Sequence, residues 1–120
     1  MSIEKNTGIK RLFFAFIYSM QGLYAGIRHE SAFRQEFILL IVMATVSFFL
    51  DVTALERFAM ISVLLAVLIV EALNSAIECV VDRVSTDNHK LSGRAKDYGS
   101  LAVLLTLIIA AGTWILILTD

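Results

Sequence analysis

Proline is absent and cysteine occurs once, as Cys79. Without proline, no helix is forced to break at one. One cysteine excludes an intrachain disulfide framework and a multi-cysteine metal site. Its neighbours Ile77, Val80 and Val81 make Cys79 a packing residue. Charge is sparse and balanced, with 10 Lys and Arg against 11 Asp and Glu for a net charge of −1. Lys and Arg never form the long runs that would suggest nucleic acid. Also missing are an internal repeat, a low-complexity tract and an early apolar core with a small-residue cleavage site, so no cleaved signal peptide is expected.

What the chain has in excess is apolar residues. They make up 58% of its 120 residues, with a mean hydropathy of +0.81, above the share usual in soluble domains. One domain is expected at this length. Three segments are candidates to cross a bilayer: Phe37 to Leu50, Phe58 onward through Val70, and Leu101 to Leu118. A span needs about 20 mostly apolar residues. Only the third approaches that alone, so helices at the other two must extend into their polar flanks. The expected boundaries are about 31–51, 55–84 and 96–118, with a link at about 85–95.

Residues of about 6–29 differ in kind. Ile9, Leu12, Phe13, Phe16, Ile17, Met20, Leu23, Tyr24 and Ile27 recur at the spacing of an amphipathic helix, interrupted by Lys10, Arg11, Gln21 and Arg28. This pattern suits a helix lying in the membrane plane. Lys and Arg set the orientation. Lys5, Lys10, Arg11, Arg28 and Arg34 precede the first span, and Arg83, Lys90, Arg94 and Lys96 lie between the second and third. The first link has only Arg57. The N-terminus is therefore expected in the cytoplasm and the C-terminus on the other side. Asp51 is a candidate cap for the second span or for the turn before it. Gly93 and Gly99 suit a turn better than a helix interior, so the third span is expected to begin near Lys96 or Asp97.

The segment "VEALNSAIECVVDRVS" poses the chemical question. Thirteen uncharged residues, Phe58 to Val70, run into Glu71, Asn74, Glu78 and Asp82. At about 100° per residue, Asn74 lies near −60° from Glu71, Glu78 near −20° and Asp82 near +20°. The four form one stripe, roughly 80° wide and about 16 Å long. If hydrocarbon begins near Phe58, Glu71 is roughly 9 Å inside the cytoplasmic boundary. Glu78 is then at the boundary and Asp82 in water. An intramembrane carboxylate costs about 2.5–3.5 kcal/mol, so Glu71 needs a partner, a proton or a job. It can be a proton carrier, a structural hydrogen-bonding group or a general base for a lipid hydroxyl. Desolvation disfavours its charged form, which suits a base or a carrier. Glu78 and Glu30 are candidate Mg²⁺ ligands, since this hard cation often takes only one or two protein carboxylates. Arg94, Lys96 and Asp97 are candidates for a nucleotide's phosphates, sugar or base. No P-loop and no protein-kinase signature occurs. Spacing alone leaves membrane enzyme and transporter both open.

"VEALNSAIECVVDR", "HKLSGRAKDYGS" and the upstream "AFRQE" together resemble the bacterial integral-membrane diacylglycerol kinase family, over nearly the whole chain from Arg11 to Trp114. The resemblance implies an all-α membrane protein with three transmembrane helices and an N-terminal amphipathic surface helix. It also implies a homotrimer with active sites shared between neighbours, in the bacterial inner membrane. The implied reaction is Mg²⁺-dependent transfer of ATP's γ-phosphoryl group to diacylglycerol, giving phosphatidic acid, with a role in lipid recycling. By position, Glu71 resembles the general base, Asn74 the residue that orients the site, and Glu30 and Glu78 the ligands of Mg²⁺-ATP. Arg11, Tyr18, Asp87, Asn88, His89, Lys96 and Asp97 match positions near the nucleotide. Arg34, Gln35, Glu36, Ser100 and Trp114 match positions lining or supporting the lipid site.

The chain departs from the family's commoner pattern at Phe14, Met20, Asp87 and Lys90, and keeps the stripe on the second span. Each matched residue also has a plainer reading. Arg11 can bind headgroups, Tyr18 can anchor the surface helix, His89 can be a solvated loop residue, Asp97 can cap the third span, and Trp114 can belong to an interfacial belt. The rivals are an undecaprenol kinase and, in another class, a small proton-coupled transporter or channel.

Overall fold

A computed structural model describes residues 7–120. Lys5, counted above for orientation, and residue 6, at the expected start of the surface helix, lie outside the described residues. Four helices follow in order: α1 (Gly8–His29), α2 (Ser31–Ser47), α3 (Ala54–Val84) and α4 (Lys90–Thr119). The described residues contain no strand.

A single extended residue, Glu30, separates α1 from α2. The elbow is tight because Gly26 lies under the Phe33 ring, where a Cβ would come within 2.5 Å of Cδ1. Arg34 reaches back over the same elbow, donating from Nη1 to the Ile27 carbonyl at 2.9 Å. This meets one of the carbonyls that every helix C-terminus leaves unpaired. Beyond its elbow α1 keeps large apolar residues uncovered, among them Ile9, Leu12, Phe13 and Phe16.

Arg57 organises the turn from α2 to α3. Its Nε donates to the Ser47 carbonyl at 2.9 Å, Nη2 reaches the Leu50 and Val52 carbonyls, and the guanidinium lies over the Phe48 ring. The cap of α3 is Thr53 and not Asp51. The Thr53 hydroxyl accepts from the Glu56 amide, and the Glu56 carboxylate accepts from the Thr53 amide. This reciprocal pair is a capping box, and it corrects the assignment of that role to Asp51.

Helices α3 and α4 have 31 and 30 residues and run antiparallel. At about 1.5 Å per residue each exceeds a hydrocarbon core of about 30 Å. Both are long and apolar enough to cross a membrane. Helix α2 has 17 residues, about 25 Å, and is shorter than that standard. The turn expected around Gly93 is not there: α4 begins at Lys90, and both Gly93 and Gly99 are inside it. Its N-cap is His89, whose Nδ1 accepts from the Leu91 amide at 3.0 Å. That corrects Asp97 as the cap. The imidazole supplies the start, so the glycines need not end a helix.

Leu40, Met60, Leu64 and Trp114 form the core where α2, α3 and α4 meet. Trp114 is buried, and its indole N–H donates to the Met60 carbonyl at 3.0 Å. Most other large apolar residues of α3 and α4 face outward. Thr45, Thr106, Thr113 and Thr119 each donate to the carbonyl four residues earlier. These hydroxyls are thus satisfied within their own helices, as hydrocarbon surroundings demand. The chain is an all-α membrane protein by these criteria.

Replacing Trp114 with Phe removes the donor to Met60 and keeps a ring in the core. We predict a loss of roughly 1–2 kcal/mol in a denaturing-detergent titration. An unchanged midpoint would show that the indole N–H contributes nothing to joining α3 and α4.

Candidate active site

The stripe drawn from helical spacing is present on α3, and its burial is graded along the helix. Glu71 is 5% exposed and Asn74 is 9% exposed. Glu78 is half-buried and Asp82 exposed. The carboxylates of Glu36, Glu78 and Glu30 all lie close enough to Glu71 to interact with it electrostatically. Glu36 comes from the first turns of α2 and Glu30 from the residue that caps its start, so the polar beginning of α2 lies beside the acidic end of α3. Three carboxylates therefore surround the buried Glu71.

Asn74 ties part of this cluster together. Its Nδ2 donates to Glu78 Oε1 at 3.3 Å. One turn further along, Lys96 of α4 donates to Asp82 Oδ1 at 2.8 Å, with both side chains exposed. Lys96 also feels the charge of Glu78, which connects the buried carboxylates to the polar start of α4.

Two kinds of space adjoin the cluster. A polar cavity of about 310 Å³ is lined by Asp82, Asp87, Asn88, His89, Lys90 and Lys96, among others. It gathers four of the residues expected near a nucleotide: Asp87, Asn88, His89 and Lys96. The other spaces are apolar. One, about 210 Å³, runs from Glu36 past Leu39, Met43 and Val67 to Trp114. Another, about 960 Å³, lies between α1, α2 and α3 and has His29 and Glu30 on its wall. Apolar room with a carboxylate on its wall suits a molecule with a greasy body and a polar end.

The remaining expected residues are placed elsewhere in a single chain. Arg11 and Tyr18 are exposed on α1, which packs mainly on α2, and Tyr18 stacks on Phe14. Arg34 is engaged at the Ile27 carbonyl. Gln35, Arg94, Asp97 and Ser100 are exposed, and none lines the polar cavity. Trp114 lies beside Met60, 11 residues along α3 from Glu71 and so about 16 Å away. It reaches the site only through the apolar cavity it shares with Glu36.

The described residues contain no group of three His, Cys, Asp or Glu side chains arranged to hold a metal ion. A hard cation that completes its shell with phosphate oxygens and water needs fewer. Glu30, at the elbow before α2, and Glu78 on α3 are oxygen donors of the kind that requirement calls for.

The prokaryotic diacylglycerol kinase family matches residues 17–118. The chain belongs to that family. It is 48% identical over 115 residues to a diacylglycerol kinase of Escherichia coli K12, covering 96% of this chain and 94% of the relative. A diacylglycerol kinase of Pseudomonas aeruginosa is 51% identical over 112 residues, covering 93% and 91%. One from Helicobacter pylori is 39% identical over 110 residues, covering 92% and 86%. Family membership makes this cluster the candidate active site of an enzyme, and the transporter reading is set aside.

Spacing revealed the stripe on α3 but not what presses against it from α4. Gly99 is buried against Asn74, and the sequence marks it only as a poor helix former. Arg57 and His89 also acquire capping roles that depend on which carbonyl or amide is left open nearby.

The Asp82–Lys96 pair is solvated, so its contribution to stability is small. Asp82→Asn is predicted to leave the thermal denaturation midpoint in detergent almost unchanged. A large fall in that midpoint would mean that this pair, and not helix packing, holds α4 against α3.

Proposed function

We propose that this protein transfers the γ-phosphoryl group of ATP to the free hydroxyl of diacylglycerol at the cytoplasmic face of the bacterial inner membrane, giving phosphatidic acid. The observation that carries the reading is the graded stripe on α3. Glu71 is buried at a depth a lipid hydroxyl can reach, and the carboxylates beyond it lead to a polar cavity open to water. Such an arrangement lets a substrate dissolved in the bilayer meet one dissolved in water.

Glu71 accepts the proton of the lipid hydroxyl as that oxygen bonds to the γ-phosphorus. The bond from phosphorus to the β,γ-bridging oxygen breaks, and ADP leaves. In-line transfer of this kind depends mainly on positioning and charge neutralisation, and no phosphoenzyme is needed. Glu30 and Glu78 would hold Mg²⁺, which when bound neutralises phosphate charge. Asn74 restrains Glu78 through its amide. The polar cavity, with Asp87, Asn88, His89 and Lys96, takes the nucleotide. The apolar spaces beside Glu30 and Glu36 take acyl chains, with Trp114 as a wall.

The active protein is a homotrimer with three spans per subunit, α2 included, and with α1 lying along the membrane surface. The uncovered apolar residues of α1 support that placement. Arg11 and Tyr18 stand apart from their own chain's polar cavity, which supports their serving a neighbouring subunit's site, with Asp97 and Ser100 also facing neighbours. The excess of Lys and Arg in the N-terminal part and the α3–α4 link supports a cytoplasmic N-terminus and a periplasmic C-terminus.

Glu71→Gln keeps the shape and removes the base. Turnover of purified protein is predicted to fall about 10²- to 10⁴-fold, with assembly and ATP affinity little changed. Parent-like turnover would reject Glu71 as the base. Glu78→Gln is predicted to raise the Mg²⁺ concentration needed for half-maximal rate. Superimposable Mg²⁺ titrations would remove Glu78 from the ligand set.

A further inference from the structure

Gly99 is buried in the middle of the α3–α4 contact. A Cβ built on it would land on Asn74 Oδ1, with Asn74 Cγ at 3.0 Å and Asn74 Cβ at 3.7 Å. The Cα–H bond that stands where a Cβ would be is therefore aimed at that oxygen. Asn74 Oδ1 is also buried with no hydrogen-bond partner among the described residues. A buried acceptor left bare is costly, and a Cα–H is a weak donor that can sit close to a carbonyl oxygen.

The orientation of the carboxamide follows from its two ends. Asn74 turns Nδ2 toward Glu78, donating to its Oε1 at 3.3 Å. Oδ1 is then forced toward α4, into the space that Gly99 leaves. Gly22, Gly93 and Gly112, by contrast, meet nothing within 4 Å of a built Cβ. Glycine inside a helix is unfavourable relative to alanine, and only at Gly99 and at the Gly26 elbow does the packing require it.

We propose that Gly99 is a positioning residue. Its bare Cα holds the Asn74 carboxamide in the orientation that donates to Glu78, and so holds Glu78 in place for the metal–nucleotide. The three atoms nearest a Cβ at 99 all belong to the Asn74 side chain and none to the backbone. Alanine at this position is therefore relieved by rotating Asn74 away, which breaks the bond to Glu78, and not by driving α3 and α4 apart.

The role in metal binding rests on the kinase reading above, so the test has one readout that does not depend on activity. The sequence has three asparagines, Asn6, Asn74 and Asn88, so ¹⁵N-asparagine labelling in detergent micelles gives a few side-chain NH₂ signals, and Asn74→Ala assigns one. Gly99→Ala is expected to displace the Asn74 signals and to raise the Mg²⁺ concentration for half-maximal rate about tenfold, the order for one hydrogen bond to a charged group. Gly112→Ala is expected to do neither. In an Asn74→Ala background, Gly99→Ala should change the Mg²⁺ requirement less than twofold, because the two closest atoms, Oδ1 and Cγ, are gone and only the Cβ at 3.7 Å, an ordinary contact distance, remains of the three nearest. Unmoved Asn74 signals in Gly99→Ala, or an equal Mg²⁺ shift in both backgrounds, overturn the proposal. If Gly99→Ala alone fails to fold, recovery of folding in the double variant supports it, and failure of both overturns it. Absence of any lipid phosphorylation by the parent protein would defeat the kinase reading, while the NH₂ signals would still decide the contact between Gly99 and Asn74.

Discussion

A carboxylate buried in a helix of membrane-spanning length dominates the organisation of this molecule. Ionised groups at such depth cost several kcal/mol, and the helix bearing Glu71 is otherwise uncharged for 13 residues before it. The surrounding structure answers that cost in a consistent way. Helix α2 brings its polar beginning, with Glu30 and Glu36, beside the acidic part of α3. Helix α4 covers Asn74 with Gly99 and reaches Asp82 with Lys96. Burial falls off along α3 from Glu71 to Asp82, so one face passes from a covered site to open solvent.

Contacts at the helix ends help hold the helices in that register. At the opposite end, the Trp114 indole donates to the Met60 carbonyl and closes the α3–α4 contact. The turn between α2 and α3 has Arg57 donating to three carbonyls, which fixes where α3 begins. At the other turn, Gly26 and Phe33 set the angle at which α1 leaves α2. Moving α3 by one residue would rotate its acidic stripe by about 100°, away from α2 and the cavity. Contacts at the helix ends therefore determine whether the polar groups can act together.

Helical periodicity made the stripe legible from sequence alone, because Glu71, Asn74, Glu78 and Asp82 are all on one helix and their angles need no tertiary information. The amphipathic character of α1 was readable for the same reason. What depended on other parts of the chain was not. The cap of α3 is an exception, since Thr53 followed three residues later by Glu56 is a local capping-box signature that the choice of Asp51 overlooked. Gly93 and Gly99 resemble a turn in one dimension, yet His89 starts the helix before both. Trp114 has the composition of an interfacial anchor, but its N–H is consumed inside the bundle. The residues expected around a nucleotide divide by the same criterion: Asp87, Asn88, His89 and Lys96 are near one another in sequence and share a cavity, whereas Arg11 and Tyr18 belong to a helix that leaves the bundle.

On the proposed function, one surface joins a bilayer-dissolved alcohol to a water-dissolved nucleotide. The most direct measurement supplies purified protein in detergent with γ-labelled ATP, Mg²⁺ and either diacylglycerol or undecaprenol, and follows label into the lipid. Rapid label in phosphatidic acid and little in the polyprenol phosphate is the expected result. Label appearing only in the polyprenol, or in neither lipid, would contradict it.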